Sequence, residues 1–115
     1  FGVDLSEDDL ARQSVARATE AAVERPMRAV DTLCCGNAGN VEYLLTAGSA
    51  DPVLRSLARA RGQHLIAQAR SRGHYAFGGG TDQENLGLFT GISGIAYALL
   101  RSLHPDALPS VLAFD

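Results

Sequence analysis

Apolar residues recur along the chain at helical spacing in four stretches, each bounded by capping or helix-breaking residues. In the first, Leu10, Ala11, Ser14, Val15, Ala18, Ala21 and Ala22 fall on one narrow face, the signature of an amphipathic helix. Ser6 precedes it as an N-cap, and Glu7, Asp8 and Asp9 occupy the first turn, where acidic groups suit the helix dipole. Pro26 ends it near Arg25. The small residues on its face predict a closely packed neighbour. A second, short and mostly apolar helix is predicted from Gly36 or Asn37 to about Thr46, with Gly48 as its C-cap. Its composition predicts burial.

Asp51-Pro52 restarts the pattern, with Asp as N-cap and Pro at the first helical position. This third helix is predicted to run to about Arg72, with Gly73 just past its end. Leu54, Leu57, Ala58, Leu65 and Ala69 form its apolar stripe, and Arg55, Arg59, Arg61, Arg70 and Arg72 face outward or toward a rim. Gly62 lies inside the helix and costs about 1 kcal/mol relative to Ala. Residues 74–86 read as a long loop, loosened by Gly78-Gly79-Gly80 and kept wet by Asp82, Gln83, Glu84 and Asn85. A last apolar helix starts near Gly91 and ends at His104-Pro105. Beyond it lies a tail whose Leu108, Val111, Leu112 and Phe114 need a surface to pack on.

One segment recurs. Leu33-Cys34-Cys35-Gly36-Asn37-Ala38-Gly39, followed by Leu44-Leu45, matches Leu88-Phe89-Thr90-Gly91-Ile92-Ser93-Gly94, followed by Leu99-Leu100, 55 residues on. A period of this size points to stacked helical hairpins. Each pairs a polar-backed outer helix with a short apolar inner helix opened by Gly-x-x-Gly. The glycines are expected to let the inner helices approach closely at their starts. The fold class that follows is all-α, built of antiparallel helical hairpins. Two hairpins close no ring, so apolar edges are left for further units or for self-association.

Composition narrows the function. The 115 residues suit one domain with a usable core, and a hydrophobic fraction of 46% with 20% charged is ordinary for a globular chain. The formal charge of −3 offers no bulk attraction to nucleic acid or anionic lipid. No apolar run reaches the roughly 18 to 20 residues of a membrane span. The opening at Phe1, without an initiator Met, predicts a piece of something longer. Two cysteines with no secretory signal favour a reducing, cytoplasmic setting.

Cys34 and Cys35 carry the candidate chemistry. A disulfide across one peptide bond is strained, and redox sites usually space their cysteines as Cys-x-x-Cys. Chemistry alone leaves two readings open: buried, inert thiols, or a metal-binding pair at the mouth of a helix. His64, His74 and His104 read as solvent-facing or capping groups, and Tyr43 and Tyr97 as core.

The run Leu33-Cys34-Cys35-Gly36-Asn37-Ala38-Gly39-Asn40 resembles the Cys-His-Gly or Cys-Cys-Gly motif of the lanthionine synthetase cyclases. Gly87-Leu88-Phe89-Thr90-Gly91-Ile92-Ser93-Gly94-Ile95-Ala96-Tyr97 is similar to their last inner helix. His104-Pro105-Asp106 with Leu108-Pro109-Ser110-Val111-Leu112 is similar to the tail of the class II, LanM-type members. The likeness runs from about Ser6 to the end. It implies a partial α/α toroid, with residues 1–115 as the C-terminal portion of a LanC-like cyclase domain. It implies zinc held by Cys34 and Cys35, with a third ligand, a Cys, upstream of this chain. Catalytic His and Asp candidates would also lie upstream, so no catalytic residue is assigned within these 115. The expected partners are a precursor peptide and the rest of a synthetase. Leu86 stands where family members often carry Pro, and Cys35 stands where most carry His. The competing reading is a noncatalytic helical-hairpin module that binds a peptide or protein.

Overall fold

A computed structural model describes residues 6–78 and 86–112. Residues 1–5, Gly79 and Gly80, the polar run 82–85 and Phe114 lie outside the described residues. The described part is all-α: α1 Glu7–Glu24, α2 Asn37–Ala47, α3 Pro52–Arg72 and α4 Ile92–Leu103.

The caps fall where the sequence puts them. Ser6 accepts from the Asp9 amide, and Asp51 accepts from the Val53 amide with Pro52 opening α3. Gly73 ends α3 in the left-handed region at φ 87°, a conformation that costs an L side chain about 1–2 kcal/mol.

Helix α2 sits at the centre. Near its start Asn40 reaches the Ala22 carbonyl of α1, and further along Tyr43 reaches Thr19, so α1 runs antiparallel to it. Arg55, at the start of α3, donates to the Gly48 carbonyl at the end of α2, and Arg72, at the end of α3, pairs with Asp31 just before α2. Helix α3 is therefore antiparallel to α2 as well. In α4, Gly94 lies against Leu33 and Arg101 pairs with Glu42, so the two inner helices run parallel.

Two apolar clusters result. Val41, Leu44 and Leu45 of α2 pack with Ala22 and Ala58. Leu33 and Ala38 pack with Leu65, Ile95 and Ala98, and Val111 of the tail packs against this second cluster. Leu44, Leu45, Leu65 and Ile95 are wholly enclosed, each worth about 1.5–3 kcal/mol relative to exposure.

Several expectations change. The small-residue face of α1 is not covered by a neighbour: only Ala22 is buried, and Leu10 and Val15 are 50% and 59% exposed. Tyr43 and Tyr97 are half-buried, not core, because each hydroxyl must find a partner at the rim. The Tyr43 hydroxyl lies 3.1 Å from Thr19 Oγ1, and that of Tyr97 donates to the Pro109 carbonyl. Gly62, a weakness by propensity, is where α3 crosses α4. A Cβ there would lie 3.2 Å from Ser102 Oγ.

The repeat has a local cause as well as a packing one. A Cβ on Gly39 would collide with the Leu33 carbonyl oxygen, and one on Gly94 with the Leu88 carbonyl oxygen. Gly36 and Gly91 share nearly the same extended backbone, at φ −124°, ψ −158° and φ −128°, ψ −167°. Leu-x-x-Gly-x-x-Gly therefore encodes one tight turn used twice. Close approach of the helix starts is real too, since a Gly94 Cβ would lie 3.0 Å from Leu33 Cβ.

Gly94→Ala is expected to destabilise the protein by about 1–3 kcal/mol through overpacking. Gly73→Ala, where no atom stands within 4 Å of an added Cβ, carries only the cost of its left-handed backbone, about 1–2 kcal/mol. Urea unfolding of both variants checks this; an Ala at position 94 that is as harmless as a surface change would refute the turn assignment.

Candidate functional site

The connector between α1 and α2 presents the cysteines, and a buried carboxylate shapes it. Asp31 is fully enclosed. Its Oδ1 accepts from Asn37 Nδ2 at 2.8 Å, and its Oδ2 accepts from the Ala76 amide at 2.8 Å and from Arg72 at 2.6 Å. A buried carboxylate is tolerated because charge-assisted bonds replace its water. Asn37 also grips the Arg28 backbone on both sides, accepting from its amide and donating to its carbonyl. These bonds join the connector, the start of α2, the end of α3 and the segment after it.

On that base Leu33 turns inward and the next two residues turn outward. Cys34 and Cys35 are both exposed free thiols, so the reading as buried, inert sulfurs fails. The Cys34 amide donates to the Phe89 carbonyl at 2.8 Å, which ties the cysteine turn to the second copy of the repeat. Arg28 Nη1 donates to the Cys35 carbonyl.

The two sulfurs interact. A hydrogen bond with the Cys35 thiol is the main reason that the Cys34 pKa is raised above the ordinary thiol value; partial desolvation and the Cys35 charge add to it. The start of α2 does not counteract this. A helix N-terminus lowers a thiol pKa when its amides point at the sulfur. Here the amides of Asn37, Ala38 and Gly39 are taken by the carbonyls of Val30, Asp31 and Thr32.

Both thiols line a cleft of about 460 Å³ between α1 and α2. Ala18 and Ala21 of α1 and Leu112 of the tail give it apolar wall, Asn40 and Tyr43 give it polar groups, and among the described residues Arg25 and Arg28 are its charged lining. Asn40 holds the end of α1 from below: it donates to the Ala22 carbonyl and accepts from Arg61. Arg61 also donates to the Ala22 and Val23 carbonyls. It thus supplies, from α3, the cation that the last turn of α1 lacks.

His64, His74 and His104 are exposed and none lines this cleft. His104 is the C-cap residue of α4. Among the described residues, no three His, Cys, Asp or Glu side chains converge on one point. Sequence reasoning missed Asp31, Asn37, Asn40 and Arg61, which position the cysteine turn and cleft wall. The two asparagines opening a mostly apolar helix were the available signal.

The family model for Lanthionine synthetase C-like protein matches residues 3–113. The chain belongs to that family. Comparison with curated proteins and with solved structures returned no match. Membership fits the all-α pairing of helices seen here. No helix of the described part is long and apolar enough to cross a membrane.

Labelling of Cys34 by iodoacetamide, in chelator-treated protein, is expected to rise with pH around a midpoint above that of an ordinary cysteine. Cys35→Ala should move that midpoint down, because the main cause of the raised pKa is removed. Mass spectrometry of the labelled peptide across pH 7 to about 10 reads it; an unmoved midpoint would show that the thiols do not couple.

Proposed function

We propose that this chain is the C-terminal portion of the cyclase domain of a class II, LanM-type lanthionine synthetase, of the Cys-Cys-Gly subgroup. The reaction is addition of a peptide cysteine thiol to dehydroalanine or dehydrobutyrine in the same precursor peptide. The sulfur forms a bond to the β-carbon, the double bond is lost, and the α-carbon takes up a proton. The observation that carries this reading is the pair of exposed thiols, Cys34 and Cys35, on the wall of one cleft in a chain of the LanC-like family.

The donor set fits zinc in kind. Two thiols side by side are soft ligands of the type that favours zinc over hard-cation sites. Cys34 and Cys35 would be two of its ligands, and a cysteine outside these residues the third. When bound there, zinc would keep an incoming peptide thiol deprotonated near neutral pH, where a free thiol of pKa about 8.5 is mostly protonated.

The chain's own residues do the rest. The Cys34 amide, fixed to the Phe89 carbonyl, and the Cys35 carbonyl, fixed by Arg28, hold both thiols at one place on the cleft wall. Ala18, Ala21 and Leu112 give the peptide an apolar surface, and Arg25 and Arg28 favour acidic residues in it. No histidine of this chain lines the cleft, so the group that delivers the α-carbon proton is assigned to residues outside this chain. The partners are the precursor peptide and the rest of the synthetase, in the cytoplasm.

The test uses the full synthetase. About one zinc per chain is expected, lost in Cys34→Ala together with ring formation, while Cys35→His keeps the metal and changes the cyclisation rate. Elemental analysis and mass spectrometry of the peptide read both. Full ring formation by Cys34→Ala would overturn the proposal, and tight peptide binding without metal or ring closure would favour the noncatalytic module.

A further inference from the structure

The tail after α4 is clasped at every step. A turn at Pro105, Asp106 and Ala107 reverses the chain, with the Ala107 and Leu108 amides donating to the His104 carbonyl. Arg55 holds Asp106 through two hydrogen bonds, of 2.7 and 3.3 Å. Arg101 Nε donates to the Leu108 carbonyl at 3.1 Å, and Tyr97 donates to the Pro109 carbonyl at 2.7 Å. Ser110 is buried, accepts from Thr46 Oγ1, and accepts the Leu112 amide. Val111 enters the second apolar cluster beside Leu33 and Ala38.

The root of this clasp is the ion pair between Arg101 and Glu42. Both side chains are buried and lie 2.9 Å apart, and Arg101 also donates to Thr46 Oγ1. One guanidinium therefore joins α2, α4 and the tail. A buried charge pair is a poor source of net stability but a strict geometric constraint. Its consequence is the position of one residue. Leu112, two residues past Ser110, comes out of the clasp on the wall of the cleft that holds Cys34 and Cys35. It is 41% exposed there.

We infer that Leu112 is a specificity-determining residue of the thiol cleft. The tail, positioned by Arg101, presents it as the apolar wall that selects the size and polarity of the peptide residue beside the reacting cysteine. This rests on the reading of the cleft as the cyclisation site. The favoured substrates carry an apolar residue of moderate size next to that cysteine. Arg101 and Tyr97 are positioning residues, which act through the tail.

Two measurements separate this inference from the proposed activity. The first needs no metal and no reaction. In the chelator-treated full chain, Cys34 and Cys35 are labelled with a small reagent, iodoacetamide, and a bulky one, an aryl maleimide, and the labelled peptides are quantified. Leu112→Ala is expected to raise the bulky-to-small rate ratio several-fold while leaving the small-reagent rate nearly unchanged. Tyr97→Phe, which loses one clasp bond and keeps the ring, should shift the ratio the same way and speed amide exchange at Val111 and Leu112.

The second compares ring formation on precursor peptides whose residue beside the cysteine is Gly, Leu, Phe or Asp. Leu112→Ala should shift the Leu-to-Phe preference in kcat/KM by about tenfold, the scale set by a few methylenes in an apolar pocket. An unchanged labelling ratio in both variants would overturn the wall assignment, whatever the enzyme does. A changed ratio with an unchanged peptide preference would overturn its role in selection. Absence of ring formation by the unmodified enzyme would instead count against the proposed activity, and the labelling ratio would still judge the wall.

Discussion

A carbonyl oxygen resting against a glycine fixes where both inner helices begin. In each copy of the repeat the leucine carbonyl occupies the space that a Cβ six residues later would need. Only glycine lets the chain turn that sharply from the leucine into a helix, whether that leucine is buried, as Leu33 is, or exposed, as Leu88 is. The two residues between leucine and the first glycine are thereby turned out of the core. In the first copy they are Cys34 and Cys35, exposed although Leu33 and Gly36 beside them are buried. In the second copy they are Phe89 and Thr90, and the Phe89 carbonyl receives the Cys34 amide. The second copy is thus a support for the first, and the chemistry-bearing residues sit in only one.

Around this turn the protein uses polar side chains in place of additional core. Asp31 has no contact with water, yet all its bonds go to groups from other parts of the chain: Asn37, Arg72 and the Ala76 amide. Asn37 and Asn40 stand in the first turn of α2, where such residues often cap their own helix. Here they serve the segments before it, the Arg28 backbone and the end of α1. A small domain with short inner helices gains position from such bonds more than net stability, because each replaces a bond to water. For a site built on a connector, position is what counts.

The helices were legible because their ends are written in local chemistry. Ser6, Asp51-Pro52, Gly48 and Gly73 act within a few residues of themselves, and the structure uses each as read. The repeat was legible for the same reason, since a turn that admits only glycine leaves a fixed spacing behind. The covering of α1 was not. A periodic face shows that a side of a helix is apolar, and says nothing of whether a neighbour exists to cover it. The buried charges were not legible either. Glu42 lies inside Val41-Glu42-Tyr43-Leu44-Leu45, and its partner Arg101 stands 59 residues on, so no spacing rule links them. An acidic residue in the middle of an apolar run was the one sign, and it names a need for a partner without naming which.

The position of the thiols brings two electrostatic effects into competition. A cysteine at the mouth of a helix ordinarily gains from the amides and the dipole there, and its pKa falls. In this protein the amides that open α2 are spent on the carbonyls of Val30, Asp31 and Thr32. That bonding builds the tight turn, so the turn and a lowered thiol pKa exclude each other. The remaining strong neighbour of Cys34 is Cys35, whose thiol and charge both favour the protonated form. Arg28 gives one N–H, from Nη1, to the Cys35 carbonyl. Cys35 therefore raises the Cys34 pKa beside a helix start that would ordinarily lower it.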